Sequence, residues 1–217
     1  VQDAARQAHG SRGEDESQGR WKEEVCRILR EIQAPLSPLL LRMCHWLLPK
    51  LLSRLFLSVQ LHRGQLEMLL RAARTPGVPL VFLCPQRSQL DGPLLSLLLL
   101  SQGMGAPRVT GGAGTTPRLR SLLQRLGGIF LPSGMRRERA DGAEGLPDAV
   151  LDAYVQELLR LRQPLVLLLP DPPGLPVPGG LPVSAHPWLL RLLRALRAGA
   201  VPDVLLIPVG IAYDAAP

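Results

Sequence analysis

An α/β fold is predicted by three features of the chain. From about residue 77 onward, short apolar runs alternate with segments of helical period, the pattern of strands separated by packing helices. Before that point the periodicity is helical only, so a helical bundle is expected to precede the sheet. The third feature is a strand–loop–helix corner: Leu80 to Cys84 is an apolar run stopped by Pro85, six residues (Gln86-Arg87-Ser88-Gln89-Leu90-Asp91) follow, and a second apolar block opens at Gly92. Loops at strand ends are where such folds place their chemistry. The expected architecture is a central sheet, mostly parallel or mixed, with flanking helices.

Residues 1–20 are polar, of mixed charge and contain Gly and Ser, and read as a disordered lead. Residues 21–76 form the helical region. Glu23 to Gln33 has an amphipathic period ended by Pro35. Leu36 to Val59 is strongly apolar, broken by Arg42, His45, Lys50 and Arg54, with Pro49 expected to kink or split it. No run reaches the roughly 18 uncharged residues that a spanning helix needs, so a buried helical hairpin is expected there, with a membrane-facing surface as the lesser alternative. His62 to Arg74 is a further helix, closed by Thr75-Pro76-Gly77.

Residues 77–217 carry the alternation. Strands are expected at 79–84, 108–110, 128–131, 165–169 and 204–212, and helices at 92–101, 118–126, 146–162 and 188–198. In the third of these helices Val150, Leu151, Tyr154, Val155, Leu158 and Leu159 share one face, while Asp148, Asp152, Gln156 and Glu157 share the other. The ends, Val1 and the Ala-Ala-Pro that follows an apolar run, look like those of a fragment.

The 217 residues suffice for one sizeable core. The net charge is +7, carried almost wholly by Arg, since Lys22 and Lys50 are the two lysines. Arg favours planar contacts to phosphate, which admits a phosphorylated substrate or an anionic membrane. Nucleic acid is not expected, because the interleaving of basic and aromatic residues that binds single strands is missing. Cys26, Cys44 and Cys84 lie in apolar contexts without paired spacing and read as buried, reduced thiols. His9, His45, His62 and His186 are scattered without metal-ligand spacing, so no metal is expected.

The corner resembles a specific motif. Glycerolipid acyltransferases carry His-x-x-x-x-Asp after a strand, often as His-Arg-Ser-x-x-Asp in the glycerol-3-phosphate branch, and here Gln86 stands in the His position while Arg87, Ser88 and Asp91 are in place. The similarity to the mitochondrial-type glycerol-3-phosphate acyltransferases extends from about Cys26 to Asp214. It includes Val59 to Met68, then Leu126-Gly127-Gly128-Ile129-Phe130, which resembles the family's second motif, and Ile207 to Asp214 with Pro208, which resembles the fourth. Ser101 to Gly105 and Pro172-Pro173-Gly174 look most like the second, divergent mitochondrial paralogue.

The resemblance implies acyl transfer from acyl-CoA, as co-substrate, to glycerol-3-phosphate at the outer mitochondrial membrane, with no cofactor and with anchoring helices beyond Pro217. In the family the His would take the hydroxyl proton, the Asp would orient it, and Arg and Gly of the second and third motifs would hold the phosphate. Gln86 and Asp91 therefore occupy the catalytic positions, and Arg87, Ser88, Gly127, Gly128, Phe130, Asp171 and Pro208 the substrate-binding ones. The departures are concentrated at polar positions. Pro132 and Ser133 follow Leu131 where the second motif has Arg, with Arg136 and Arg137 nearby. Pro170-Asp171-Pro172-Pro173-Gly174 replaces Glu-Gly-Thr-Arg. An amide has no titratable nitrogen, and losing a positioned base costs roughly 10²–10⁴ in rate. The expectation is a weak or inactive acyltransferase; the alternative is a non-catalytic scaffold that binds protein or lipid.

Plain structural roles are open to the same residues. Asp91 would cap the helix from Gly92 at a worth of about 0.5–2 kcal/mol, Gly127-Gly128 would stop a helix, and Arg87 would be a solvated loop residue. Gly111-Gly112-Ala113-Gly114 lacks the Lys-Ser/Thr of a nucleotide loop and reads as a flexible connection.

Overall fold

The alternating apolar runs assemble side by side in the computed structural model, which describes residues 16–33, 35–55, 58, 60–74, 77–86, 88, 90–111, 117–132, 146–170 and 187–213. Helices α1 (Glu16–Ile32), α2 (Pro38–Leu55) and α3 (Arg63–Ala73) come first. There follow β1 (Leu80–Gln86), α4 (Asp91–Ser101), β2 (Arg108–Thr110), α5 (Pro117–Arg125), β3 (Gly128–Ile129), α6 (Leu146–Arg160), β4 (Leu165–Pro170), α7 (Pro187–Arg197) and β5 (Leu205–Pro208). The strands pair in the order β3-β2-β4-β1-β5, and every pairing is parallel. The α/β expectation holds, and the sheet is parallel rather than mixed.

Period-2 alternation divides the core into two layers. Val81, Leu165 and Leu167 face one side, where they pack with Ile129, with α6 (Val150, Leu151, Val155, Leu159) and with Leu192 of α7. Leu80, Phe82, Cys84 and Val166 face the other, against Leu95 and Leu99 of α4 and the half-buried Leu69 and Ala73 of α3. The helices expected as an N-terminal bundle are shared between these layers. α1 gives Val25, Ile28 and Ile32 to the first core, and α2 packs against α4 on the other side.

Several boundaries differ from the pattern read in the sequence. α1 begins at Glu16 and takes in residues assigned to the lead. α2 runs through Pro49 as one helix, and it is not buried: Leu39, Met43, Trp46 and Leu47 stand out into solvent. Cys26 is exposed as well, with Cys84 buried. Strand β1 continues through Pro85 to Gln86, although proline in a central strand removes a ladder donor. Pro79 O and Leu83 O both accept from the β5 side, from Leu205 N and from Val209 N just past the strand. By alternation Pro85 turns its missing N–H to that same side, beyond the last β1–β5 pair, Leu83 with Pro208.

Candidate active site

In parallel sheets the crevice lies at the carboxyl ends of the strands, where successive connections part to opposite sides. Here β1 leads over β4 to β2, and β4 leads over β1 to β5, so the parting point lies between β1 and β4. Gln86 is the last residue of β1 and pairs with Pro170, the last of β4. The segment after β1 then turns tightly into α4. Ser88 Oγ accepts from Leu90 N at 3.2 Å, and Asp91 Oδ2 accepts from Ser88 N at 2.8 Å.

Asp91 therefore does not cap α4. The N-cap is Leu90, which makes no side-chain cap bond, while the Asp91 carboxylate reaches back to close the corner. Its other oxygen, Oδ1, accepts from the Tyr213 hydroxyl at 2.6 Å, and Asp91 is 1% exposed. Gly92 makes this placement possible. A Cβ there would sit 3.1 Å from the Leu168 side chain and 3.4 Å from Val109, so the first turn of α4 lies close against the sheet. Burial, then the hydrogen bond to Asp91 and its charge, push the Tyr213 hydroxyl up to about 12. Burial, with a smaller contribution from Asp91, pushes the Cys84 thiol up to about 11. Both remain protonated at neutral pH.

Beside this corner lies a cavity of about 370 Å³. Gln86 and Gly92 line it at one end, Leu97 and Leu100 of α4 along its length, and Leu41 and Cys44 of α2 opposite. From Gly92 to Leu100 it follows α4 for roughly 12 Å at 1.5 Å per residue. The two hydroxyls on its wall are turned to local partners: Ser96 Oγ donates to Gly92 O at 2.8 Å, and Thr110 Oγ1 accepts from Leu168 N at 2.8 Å. The slot lining is predominantly apolar.

Gly128 and Phe130 line the same slot as Gln86. Phe130 lies over Gly111, where a Cβ would come within 2.0 Å of the ring. Gly127 stands apart from the slot lining: it has φ +109°, its N donates to Gln124 O at 3.2 Å, and a Cβ would meet Pro107 O at 2.6 Å. That is the geometry of a helix stop. Pro208 ends β5 and pairs with Leu83 as the last pair of the β1–β5 ladder. Arg87, Asp171, Arg136, Arg137 and Gly112 to Gly114 lie outside the described residues.

Two side chains near the site were not singled out from sequence. Tyr213 sits inside the segment resembling the fourth motif, and that resemblance was the available signal. Arg120, whose guanidinium carbon is 4.9 Å from the Phe130 ring centroid, donates to Glu31 O at 3.0 Å and Leu131 O at 3.4 Å. It ties the end of α1 to β3. No group of three or more His, Cys, Asp or Glu suited to a metal ion occurs among the described residues.

A parallel α/β sheet with a strand-end Gln-Arg-Ser-x-x-Asp corner and an apolar slot beside it agrees with the resemblance to the glycerolipid acyltransferases. The particular relatives follow from comparison with curated proteins. The chain is 46% identical over 210 residues to the mitochondrial glycerol-3-phosphate acyltransferase 2 of Mus musculus and 43% identical over 210 residues to that of Homo sapiens, in each case over 96% of this chain and 26% of the relative. It is 36% identical over 199 residues to the mitochondrial glycerol-3-phosphate acyltransferase 1 of Homo sapiens, over 89% of this chain and 23% of the relative. The chain is thus a homologue of the mitochondrial glycerol-3-phosphate acyltransferases, with higher identity to the second type than to the first, and it spans about a quarter of their length. No protein-family model matches it.

Proposed function

We propose that this chain is a glycerol-3-phosphate acyltransferase-like domain that binds acyl-CoA and glycerol-3-phosphate but transfers the acyl group at or near background rate. The observation that carries this reading is Gln86 at the end of β1, with Asp91 held in the corner that follows and the apolar slot running from it. The slot takes the acyl chain, and the thioester lies at its Gln86 end. By the family resemblance, Arg87, Ser88 and Asp171 are the residues that take the phosphorylated acceptor. For transfer, the acceptor hydroxyl oxygen must attack the thioester carbonyl, expel the thiolate and give up its proton. The Gln86 amide cannot take that proton near neutral pH. Asp91 is buried and shares its carboxylate with Ser88 N and Tyr213, so it orients the corner rather than acting on substrate.

The domain acts with acyl-CoA as co-substrate and without a further cofactor, at the outer mitochondrial membrane. A second reading, a non-catalytic scaffold with the fold intact, is favoured by the hold on Asp91: the corner is stabilised by Tyr213 and Ser88 without any base. Thiol release from acyl-CoA, dependent on glycerol-3-phosphate, tests the proposal. Turnover of about 1 s⁻¹ or faster, the ordinary enzyme range, overturns it. Failure to bind either substrate leaves the scaffold reading.

A further inference from the structure

Helix α2 contains no Asp or Glu and is apolar around most of its circumference. Its inner side is accounted for, since Leu41 and Cys44 wall the slot and the helix packs on α4. Its outer side is not. Leu39, Met43, Trp46 and Leu47 are 71%, 61%, 64% and 51% exposed. Spaced i, i+4, i+7 and i+8, they form one stripe that is roughly 12 Å long. Single exposed apolar residues are ordinary, but a contiguous row of large ones marks an interaction surface.

The cations fix the kind of partner. Lys50 and Arg54 continue the stripe toward the helix C-terminus, Arg42 flanks it, and all three are exposed. The Lys50 ammonium lies 3.6 Å from the centroid of the Trp46 ring. An apolar face bearing Trp and Leu and bordered by Lys and Arg is the composition of a helix lying in the headgroup boundary of a bilayer. No helix among the described residues is long and apolar enough to cross one.

We propose that the outward face of α2 docks onto an anionic lipid surface, burying Leu39, Met43, Trp46 and Leu47 while Arg42, Lys50 and Arg54 engage lipid phosphates. This rests on the reading of a lipid-handling domain, because the opposite face of the same helix walls the slot. Docking sets that slot beside the membrane that supplies and receives its lipids.

The test uses the chain with vesicles and reads no turnover. Vesicles of phosphatidylcholine alone are compared with vesicles of equal parts phosphatidylcholine and phosphatidylserine, by co-sedimentation and by tryptophan emission. Trp188 is buried and Trp21 half-buried, so Trp46 dominates any shift. The mixed vesicles bind the chain and move its emission to the blue, and Trp46→Phe abolishes the shift. Lys50→Gln and Arg54→Gln each weaken binding about fivefold at low salt, and added salt weakens it further. Met43→Gln with Leu47→Gln removes binding while leaving the thermal transition in place, as expected for solvent-facing positions.

An unshifted emission with mixed vesicles overturns the proposal, as does equal binding by the Met43→Gln, Leu47→Gln variant. Self-association without vesicles that this double variant abolishes also overturns it, by making the stripe a contact between copies. Vesicle binding by a chain with no turnover leaves docking standing whatever becomes of the acyl-transfer reading. Turnover without vesicle binding removes docking alone.

Discussion

Tyr213 donates its hydroxyl to Asp91 Oδ1 at 2.6 Å across 122 positions of sequence. The chain leaves β5, passes the mouth of the β1–α4 corner and fastens to the carboxylate at its centre. With Ser88 N on Oδ2 at 2.8 Å, both oxygens of Asp91 are engaged by the protein itself. The corner keeps its shape without a histidine.

Tyr213→Phe removes that bond from the buried Asp91 carboxylate. Hydrogen bonds to charged groups are worth about 1.5–3 kcal/mol, and the half-buried setting of Tyr213 places the loss near 1.5 kcal/mol. Urea unfolding of the two forms measures it. A change under about 0.3 kcal/mol would show that the bond contributes nothing to stability.

The same pair governs stability at high pH. Tyr213 and Tyr154 are both raised from the ordinary 10 to about 12, chiefly by burial. A folded-state pKa above the unfolded one gives stability that is complete below pH 10 and lost as pH rises toward 12. Ultraviolet titration of phenolate should therefore show both tyrosines protonated at pH 10. Asp91→Asn removes the charge beside Tyr213 and should lower its titration while leaving that of Tyr154, which donates to Gln33 Oε1, in place. Equal titration of Tyr213 in both forms would contradict the assignment.

A second cross-chain tie holds α7 to α6. Arg191 is 5% exposed, pairs with Asp148 and lies 3.0 Å from both oxygens of Asp152. Removing one member of a buried ion pair strands the others, at a cost of about 3–5 kcal/mol. Arg191→Ala should lower unfolding stability by about 3 kcal/mol, since the two aspartates are partly exposed. A loss below about 1 kcal/mol would reduce the tie to a surface pair.

These two ties mark what the sequence could and could not say. All five strands were legible, because apolar runs such as Leu165 to Leu169 are short and bounded by Pro or Gly, and the sheet leaves them no other period. The frame Gln86 to Asp91 was legible as a strand-to-helix corner. The partner of Asp91 was not, since nothing local links position 91 to 213. Asp148 and Asp152 were legible as sharing one helix face, but not as ion-paired, because their partner, Arg191, comes about 40 residues later. The exposure of Leu39, Met43, Trp46 and Leu47 was likewise invisible, because an apolar stripe has the same spacing whether a core or a membrane covers it. Pro85 inside β1 was misread as a stop, for the paired length of β5 decides what a proline there costs.

Gly127 separates the substrate-binding reading of its position from the structural one. Its φ of +109° and the 2.6 Å approach of a Cβ to Pro107 O make Gly127→Ala destabilising by about 1–3 kcal/mol, with substrate binding by the remaining folded protein unchanged. Thermal melting and acyl-CoA titration measure the two effects. An unchanged melt with weakened binding would return Gly127 to the site.

The central proposal is that a domain with the acyltransferase fold lacks, at Gln86, the base that the resemblance places there. Glycerol-3-phosphate-dependent thiol release from acyl-CoA, run side by side on the unaltered chain, Gln86→His, and Gln86→His with Asp91→Ala, tests it most directly. The unaltered chain should stay at background. Gln86→His should regain measurable kcat but need high glycerol-3-phosphate, because the Arg after Phe130-Leu131 and the Thr-Arg after Pro170 remain absent and each lost charged contact costs roughly 1.5–3 kcal/mol. Adding Asp91→Ala should abolish the gain. Turnover by the unaltered chain equal to that of Gln86→His would contradict the account.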